Sequence, residues 1–198
     1  MKIKTKIVVG AIFIAVLSVT IFGVMSLTKG VGALEDAYFK KVGVIADLKV
    51  DKIESYFFER KADMKVVQDY FNIKTNLPIV AEFANDRENP EYLVAKEALD
   101  SQLKTFQEVY GYVDFMLTDS EGKIVYMTNE GHMNKDLDKH LPDPTEKSFT
   151  EGKKDIYFSQ IFKNSIDNDN FDMLVTGPVH DFAGNLIGVI AFEISMDP

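Results

Sequence analysis

The fold is decided by residues 171–195, which read FDMLVTGPVHDFAGNLIGVIAFEIS. Two mostly apolar runs, 171–180 and 186–195, flank the segment 181–185, which contains Asp, Gly and Asn. Runs of that kind on either side of a short polar segment are typical of a β-hairpin. The sequence therefore predicts two long antiparallel strands joined by a tight turn.

Three more strands are predicted ahead of this hairpin. Residues 112–118 and 123–128 flank the turn signal DSEG at 119–122, and residues 156–162 form a third run. Because turns and loops separate these runs, we expect an antiparallel sheet of about five strands in the C-terminal half of the chain.

A long helix is predicted before the sheet. No proline interrupts residues 30–71, and apolar side chains recur from Val50 to Phe71 in steps of three, four and seven. The stripe, together with the absence of proline, predicts one helix of about 40 residues, or ~60 Å, which can be continuous with the N-terminal apolar segment. Two interpretations of residues 50–71 stay open: one face packs on the domain and another on a partner helix, or the whole surface is core.

The connector after this helix is rich in residues that form turns. Residues 76–78 (NLP) and 85–90 (NDRENP) predict breaks, with a short helix at 79–84 between them. Pro90 opens a second helix at a position where a missing N–H costs nothing, and Gly111 ends it. Helices first and antiparallel strands afterwards define an α+β fold.

The N-terminus carries 21 consecutive residues without a charge, 7–27, preceded by Lys2, Lys4 and Lys6. A helix of that length measures ~31 Å, the thickness of a bilayer's hydrocarbon core. Lysines ahead of a membrane span stay cytoplasmic, so residues 30–198 are expected outside the cytoplasm. A cleaved signal peptide is the alternative, although its apolar region is usually about 7–15 residues long.

Composition narrows the classes of partner. The first 30 residues hold four lysines and no acid, so the remainder carries 18 basic and 31 acidic residues, a formal charge of −13. An acidic surface argues against binding to nucleic acid or to anionic lipid headgroups, since both favour Lys and Arg patches. The chain has no cysteine, which excludes disulfides, thiol chemistry and covalent c-type haem attachment.

The sequence contains no motif for catalysis or for a bound metal ion. The three histidines, His132, His140 and His180, have no partners at metal-ligand spacing, and no HExxH, P-loop or GxSxG pattern occurs. Residues 167–172 resemble the start of a calcium loop but lack its glycine at position six, and Pro178 stands where the bidentate Glu belongs. No catalytic residue, metal ligand or cofactor is therefore predicted, and we do not expect an enzyme.

Three stretches of the sequence resemble the extracytoplasmic Cache sensor family, whose core is a PAS-like sheet. They are residues 53–66, 112–126 and 177–194. The third is the most specific, with a Pro-Val pair, a short turn and Gly-x-x-x-Gly-Val before an apolar strand. The resemblance covers roughly residues 30–196. It implies a signal-transduction module of bacterial chemotaxis receptors, histidine kinases or cyclases, which bind small molecules outside and signal within.

The apolar run, the helical stripe and the resemblance together predict an organisation for the whole chain. The chain is expected to have a cytoplasmic N-terminus and transmembrane helix at 1–29, a long signalling helix at 30–72 and a sensor domain at 73–198. A single-pass anchor in the inner membrane would hold the domain on the periplasmic or extracellular side, with homodimerisation through the long helix. Because no output region follows, we expect a fragment of a longer receptor.

Ligand binding is expected on the sheet, beneath loops 129–153 and 163–170, the first of which carries a short helix around 145–150. Arginine is absent after residue 87, so no planar guanidinium fork is available there for a carboxylate. A small neutral or modestly charged metabolite is therefore favoured over an α-amino acid. The strand residues predicted to contact it are Asp114, Tyr126, Tyr157, Ser159, Gln160 and Thr176. Further candidates on the loops are Lys135, Lys139, Lys147 and Asp172.

A second hypothesis stays open, in which the chain is a ligand-independent, membrane-anchored adaptor that binds a protein partner through the sheet domain. A cavity of ligand size would favour the sensor. A filled core with an exposed apolar patch would favour the adaptor.

Overall fold

The computed structural model describes residues 3–129, 131–132, 136–164 and 170–196. Lys2, Lys135 and residues 167–169, which carried expectations above, lie outside the described residues. The chain separates into two compact units, Met1–Tyr56 and Phe57–Pro198, and each is described by itself. The domain limits expected from the sequence stay a prediction.

The first unit is the greater part of helix α1, which spans Ile3–Val67. Within this unit the side chains are almost all exposed, and one window is long and apolar enough to cross a membrane by length and composition. Ser18 and Thr20 donate hydroxyl hydrogen bonds to the carbonyls of Ile14 and Val16. These two hydroxyls are thus satisfied by hydrogen bonds within the helix.

Helix α2, Phe71–Glu82, corrects the expectation of a break at residues 76–78 and of a short helix starting only at 79. Pro78 lies inside this helix. A proline there removes one backbone hydrogen bond, which weakens the helix locally. Three fully buried side chains of α2 offset that loss because they lie in the core of the second unit: Ile73, Leu77 and Val80.

Helix α3, Pro90–Tyr110, has the ends that its sequence predicts. The Asn89 side chain accepts a hydrogen bond from the Glu91 N–H at 2.9 Å, and Pro90 occupies the first turn. Gly111 follows the last turn in a left-handed conformation with φ 71°. Glycine adopts this conformation without strain because it has no Cβ.

The second unit contains a six-stranded antiparallel sheet. Its strands are β1 (Asp114–Thr118), β2 (Ile124–Met127), β3 (Tyr157–Phe158), β4 (Phe162–Asn164), β5 (Asn170–His180) and β6 (Leu186–Ser195), and a short helix α4 (Lys147–Gly152) precedes β3. The strand order is β2-β1-β6-β5-β3, and β4 also pairs with β5. The α+β fold and the β5–β6 hairpin predicted from the sequence are confirmed.

The predicted third strand, 156–162, is divided into β3 and β4 in the structure. Between them the Ser159 hydroxyl accepts a hydrogen bond from the Leu174 N–H at 2.9 Å and donates one to the Gln160 carbonyl at 2.8 Å. Hydrogen bonds from a serine side chain to nearby backbone compete with the strand ladder. The strand is therefore interrupted at this serine.

Successive residues of β1 and β6 point to opposite sides of the sheet. On the helix-facing side, Phe115 and Phe192 are register partners with ring centroids 4.6 Å apart, and Phe106 of α3 packs against both. On the loop-facing side, Asp114 and Glu193 are register partners. Neighbouring pairs of one ladder are thus apolar on one side and acidic on the other.

Two glycines permit close packing around the β5–β6 hairpin. A Cβ on Gly177 would lie 2.8 Å from Gln68 Oε1 and 2.9 Å from the Met64 side chain, so the end of α1 packs directly on β5. A Cβ on Gly188 would overlap the backbone carbonyl oxygen of Thr118. Glycine is required where another backbone approaches a strand this closely.

Candidate functional site

A cavity of about 210 Å³ lies on the loop-facing side of the sheet. Strands β1, β2, β4 and β6 and the loop between β2 and α4 contribute its lining residues, which are Met116, Met127, His132, Asp136, Lys139, His140, Pro142, Lys163, Asn164 and Glu193. The two methionines form an apolar wall, and most of the other residues offer polar groups. A mixed lining of this kind suits a small ligand held by a few placed polar contacts.

The loop that covers the cavity is attached to β2 by backbone hydrogen bonds. The Ile124 N–H donates to the Lys139 carbonyl at 2.8 Å, and the Asp138 N–H donates to the Ile124 carbonyl at 2.9 Å. The Asp138 carboxylate accepts a hydrogen bond from Arg87 Nη2 at 3.0 Å. These contacts hold Lys139 and His140 at the cavity.

Asp143 orders the segment that leads into α4. Its Oδ1 accepts hydrogen bonds from the N–H and hydroxyl of Thr145, both at 2.8 Å. Its Oδ2 accepts from the Ser148 N–H at 2.9 Å and hydroxyl at 2.7 Å. Burial alone would raise the pKa of Asp143, but these hydrogen bonds outweigh burial and lower it. The ionised carboxylate thereby fixes the backbone next to Pro142, which lines the cavity.

Asp114, at the start of β1, is fully buried. Its Oδ1 accepts hydrogen bonds from the Thr128 N–H at 3.0 Å, the Thr128 hydroxyl at 2.8 Å and the Asn129 N–H at 2.9 Å. Its Oδ2 lies 3.3 Å from His132 Nδ1. This carboxylate therefore positions the beginning of the covering loop and faces the histidine.

Glu193 is only 1% exposed and lies directly across the ladder from Asp114. Its Oε1 accepts a hydrogen bond from Asn164 Nδ2 at 2.6 Å. Burial raises the pKa of Glu193 to about 8, the negative charges of Asp172 and Asp114 act in the same direction, and His132 opposes them. At neutral pH the Glu193 carboxyl group therefore keeps its proton for most of the time.

Asp114, His132 and Glu193 form what we call the acid–histidine cluster. All three residues are buried, and each offers one ligand atom within 4.8 Å of the others. His132 and Glu193 also line the cavity, so the cluster lies at its wall. Chemically, two carboxyl groups and an imidazole at this spacing can hold a proton, a cationic group or a metal ion.

Neither arginine of the chain lines the cavity. The Arg60 guanidinium lies 5.0 Å over the Tyr112 ring, and Arg87 pairs with Asp138 as described above. Among the described lining residues the amino groups belong to Lys139 and Lys163. A lysine is a point charge rather than a planar fork, so it discriminates weakly between carboxylate geometries.

The structure brings only one of the six predicted strand residues into this site. Asp114 belongs to the acid–histidine cluster. Ser159 bonds to backbone, Gln160 is exposed, and Thr176 is the register partner of Tyr157 with its side chain close to Gly152 of α4. None of these four lines the cavity, and their contact with a ligand stays a prediction.

Tyr126, the sixth predicted residue, lies on the helix-facing side. Its hydroxyl donates a hydrogen bond to Asp100 Oδ1 at 2.8 Å, and its ring is fully buried. Burial and this carboxylate raise the pKa of Tyr126 strongly, so the hydroxyl stays protonated. Of the loop candidates, Lys139 lines the cavity, Lys147 is exposed and Asp172 is buried near Glu193.

Sequence reasoning missed His132, Asn164, Lys163 and Glu193. Glu193 carried a usable signal, because a charged residue inside the apolar run 186–195 must either face solvent or serve a buried site. His132 carried none, since it lies in a polar loop far from its partners in the sequence. The β1–β6 pairing places Glu193 opposite Asp114, the β4–β5 pairing brings in Lys163 and Asn164, and the loop after β2 brings in His132.

No family model matches the chain, and no curated protein matches it. Solved structures do. The V. cholerae histidine kinase DctB sensor domain aligns with a TM-score of 0.52 and 15% identity, covering 73% of this chain and 51% of that one. The Campylobacter jejuni chemoreceptor Tlp3 ligand-binding domain, in complex with 4-methylisoleucine, aligns at 0.47 and 15%, covering 73% and 53%. The Pseudomonas aeruginosa PAO1 chemoreceptor PctC domain, in complex with GABA, aligns at 0.46 and 13%, covering 80% and 61%.

The chain thus spans between about half and three fifths of the length of these solved domains. The likeness to the DctB sensor domain concerns the fold, and it agrees with the sequence resemblance to Cache domains. The chain therefore shares the PAS-like α+β fold of that domain.

Proposed function

We propose that this chain is the membrane-anchored sensor module of a signal-transduction receptor, and that it binds a small polar ligand in the cavity on the loop-facing side. The observation that carries the proposal is the cavity of about 210 Å³ with mixed polar and apolar walls. Its volume suits only a ligand of few atoms, and it supports the sensor over the adaptor, for which a filled core with an exposed apolar patch would be expected. The absence of a catalytic motif supports a binding role rather than an enzymatic one.

The lining supports a ligand class. Lys139 and Lys163 can attract a modest negative charge, while Asn164 and the two histidines offer further hydrogen-bonding groups. With both arginines engaged away from the cavity, a bidentate grip on a carboxylate is not available. We therefore favour a small neutral or monoanionic metabolite over an α-amino acid.

A physical connection links the cavity to α1. Glu193 on β6 lines the cavity, β6 pairs with β5 along most of its length, and Gly177 of β5 lies against Met64 and Gln68 at the end of α1. A ligand that binds one arrangement of this hairpin better than another shifts the population toward it by its differential affinity. The end of α1 would then move with β5.

The first unit supplies the anchor in this proposal. Residues 7–27 cross the inner membrane, the lysines before them stay cytoplasmic, and the sensor domain lies on the periplasmic or extracellular side. The exposed apolar side chains of α1 beyond the span, such as Leu34, Tyr38 and Phe39, support pairing with a second copy. A shared membrane raises the effective concentration of the two helices.

A ligand screen on the full-length chain in detergent tests the binding proposal. Thermal unfolding is followed by circular dichroism against a panel of small metabolites, since a ligand bound only by the native state raises the melting temperature. We expect a hit whose shift is reduced in Lys139→Met and unchanged in Lys123→Met, an exposed lysine away from the cavity. Equal reduction in both variants, or hits confined to α-amino acids, would contradict the assignment.

Topology and dimerisation have separate tests. Protease added to spheroplasts should digest the sensor domain, and protection of the whole domain would reject the proposed orientation. Because the chain has no cysteine, single cysteines at positions 34–48 give clean disulfide cross-links. A parallel dimer predicts cross-linking with a helical period, and a flat profile would rule it out.

A further inference from the structure

The acid–histidine cluster is prearranged by the fold. Asp114 and Glu193 face each other across the β1–β6 ladder, so their backbones are held at a fixed spacing. Asp114 Oδ1 accepts the Asn129 N–H, and the Asn129 carbonyl in turn accepts the His132 N–H at 3.1 Å. This short turn returns the His132 ring to Asp114.

The two oxygens of Asp114 differ in their surroundings. Oδ1 accepts three hydrogen bonds, whereas Oδ2 is buried and has no hydrogen-bond donor among the residues that the structure describes. Its neighbour is His132 Nδ1 at 3.3 Å. Oδ2 has almost no exposure to solvent, and a buried carboxylate oxygen is stable only with a cation or a donor beside it.

The donor set indicates which cation fits. Calcium takes six to eight oxygen ligands, far more than two carboxyl groups supply. Magnesium can be held by one or two carboxylates and water, but like calcium it prefers oxygen ligands to imidazole. Zinc and similar divalent transition metals accept imidazole together with carboxylates, and three protein ligands leave a further position open. When the ion binds, the Glu193 carboxyl group must release its proton to solvent, and two carboxylates with a neutral imidazole then balance the charge of a divalent ion.

We propose that Asp114, His132 and Glu193 bind a divalent metal ion of the zinc type at the wall of the cavity. Because His132 and Glu193 line the cavity, the remaining coordination position is open to a ligand atom there. The ion ties the covering loop to β1 and β6, and it makes the cavity selective for small molecules with an oxygen or nitrogen donor. This selectivity rests on the proposed sensor function, but the metal site itself does not.

The test uses the full-length chain in detergent, stripped of metal with a chelator and then dialysed. Zinc is titrated calorimetrically, and cobalt serves as a spectroscopic probe because its visible absorption reports coordination number and ligand type. We expect one ion per chain. His132→Gln and Glu193→Gln should each weaken zinc binding by more than about tenfold, as the loss of a metal ligand requires. His140→Gln is the matched control, since His140 lines the same cavity but lies outside the cluster.

Equal zinc affinity in wild type and His132→Gln, or no stoichiometric binding by the folded wild-type chain, would overturn the metal site. Circular dichroism checks that each variant is folded, and Glu193→Gln keeps the test decisive if Asp114 variants unfold. The metabolite screen is run with chelator and with zinc. If a metabolite raises the melting temperature in chelator but zinc does not bind, the sensor function is supported and the metal site is rejected. If zinc binds but no metabolite raises the melting temperature, the metal site is supported and the sensor function is rejected.

Discussion

One step along β6 separates the two sides of the sheet: Phe192 packs beneath the helices, whereas Glu193 lies at the wall of the cavity. Both side chains are almost fully buried. On the helix-facing side burial removes apolar surface from water and stabilises the fold. On the loop-facing side burial raises the pKa of a carboxyl group, which is an energetic cost in the folded state.

The difference between the two sides of the sheet shows how a small domain can keep a polar site inside its core. The aromatic cluster of Phe106, Phe115 and Phe192 contributes stability that does not depend on any ligand. The acid–histidine cluster lies on the opposite side of the same strands, and the aromatic cluster offsets the free-energy cost of burying its charged groups. Functional sites commonly break local rules in this way.

The largest expected effect is on the helix-facing side. Phe192→Ala should lower the free energy of unfolding by about 3–5 kcal/mol, because it removes a buried ring and leaves a cavity. Urea denaturation followed by circular dichroism measures the loss. Phe182→Ala, at a position 70% exposed, is the control and should cost far less. Similar losses in both variants would mean that the two sides do not differ as described.

The second effect concerns pH on the loop-facing side. Because the pKa of Glu193 is raised to about 8, the folded state keeps a proton that the unfolded chain releases above about pH 4.5. Its contribution to stability is therefore full below pH 4.5 and is lost as pH rises to about 8. Glu193→Gln removes this dependence. Between pH 5 and pH 8, the free energy of unfolding of the variant should rise relative to that of wild type by on the order of 3 kcal/mol.

Matched urea titrations at pH 5 and pH 8 check this prediction for Glu193, with metal chelator present in both. Glu97→Gln, an exposed acid on α3, is the control and should show parallel pH profiles with wild type. If Glu193→Gln instead loses stability at pH 8, the carboxylate is ionised and paired in the folded state, and the contrast between the two sides fails.

A smaller effect is expected for Tyr126→Phe. The change removes the hydrogen bond from the tyrosine hydroxyl to Asp100 Oδ1 and should cost about 1 kcal/mol. Asp100 keeps its contacts with Lys96 at 2.6 Å and Lys104 at 3.3 Å, so no buried charge is left alone. Ligand affinity should not change, because Tyr126 lies on the helix-facing side. A clear loss of affinity would restore Tyr126 to the ligand site.

The smallest effect is expected at the surface. Lys154 Nζ lies 2.9 Å from Glu151 Oε1, with the side chains 62% and 43% exposed. Water screens such a pair, so Lys154→Met should change stability by less than about 0.5 kcal/mol. The same urea titration measures it. A large change would show that charge placement on α4 matters as much as charge burial at the cavity.

Local chemistry along the chain was sufficient for the elements that depend on neighbours in sequence. Turn residues at 119–122 and 181–185, the proline and glycine that bound α3, and the uninterrupted apolar run at 7–27 each predicted the observed structure. Two local rules failed. Pro78 lies inside α2 because buried neighbours outweigh one lost hydrogen bond, and the 156–162 strand is interrupted because Ser159 bonds to the backbone.

The candidate site depended on pairing between distant segments. The alternation of side chains along a strand placed Asp114 on one side of β1. The register between β1 and β6 placed Glu193 opposite Asp114, and the loop after β2 brought His132 to both residues. The β1–β2 register turned Tyr126 toward the helices. Sequence therefore determined which elements form, since turns, caps and apolar runs act over a few residues. Tertiary structure determined which charges are buried together, because burial is a property of surfaces that meet only when the chain folds.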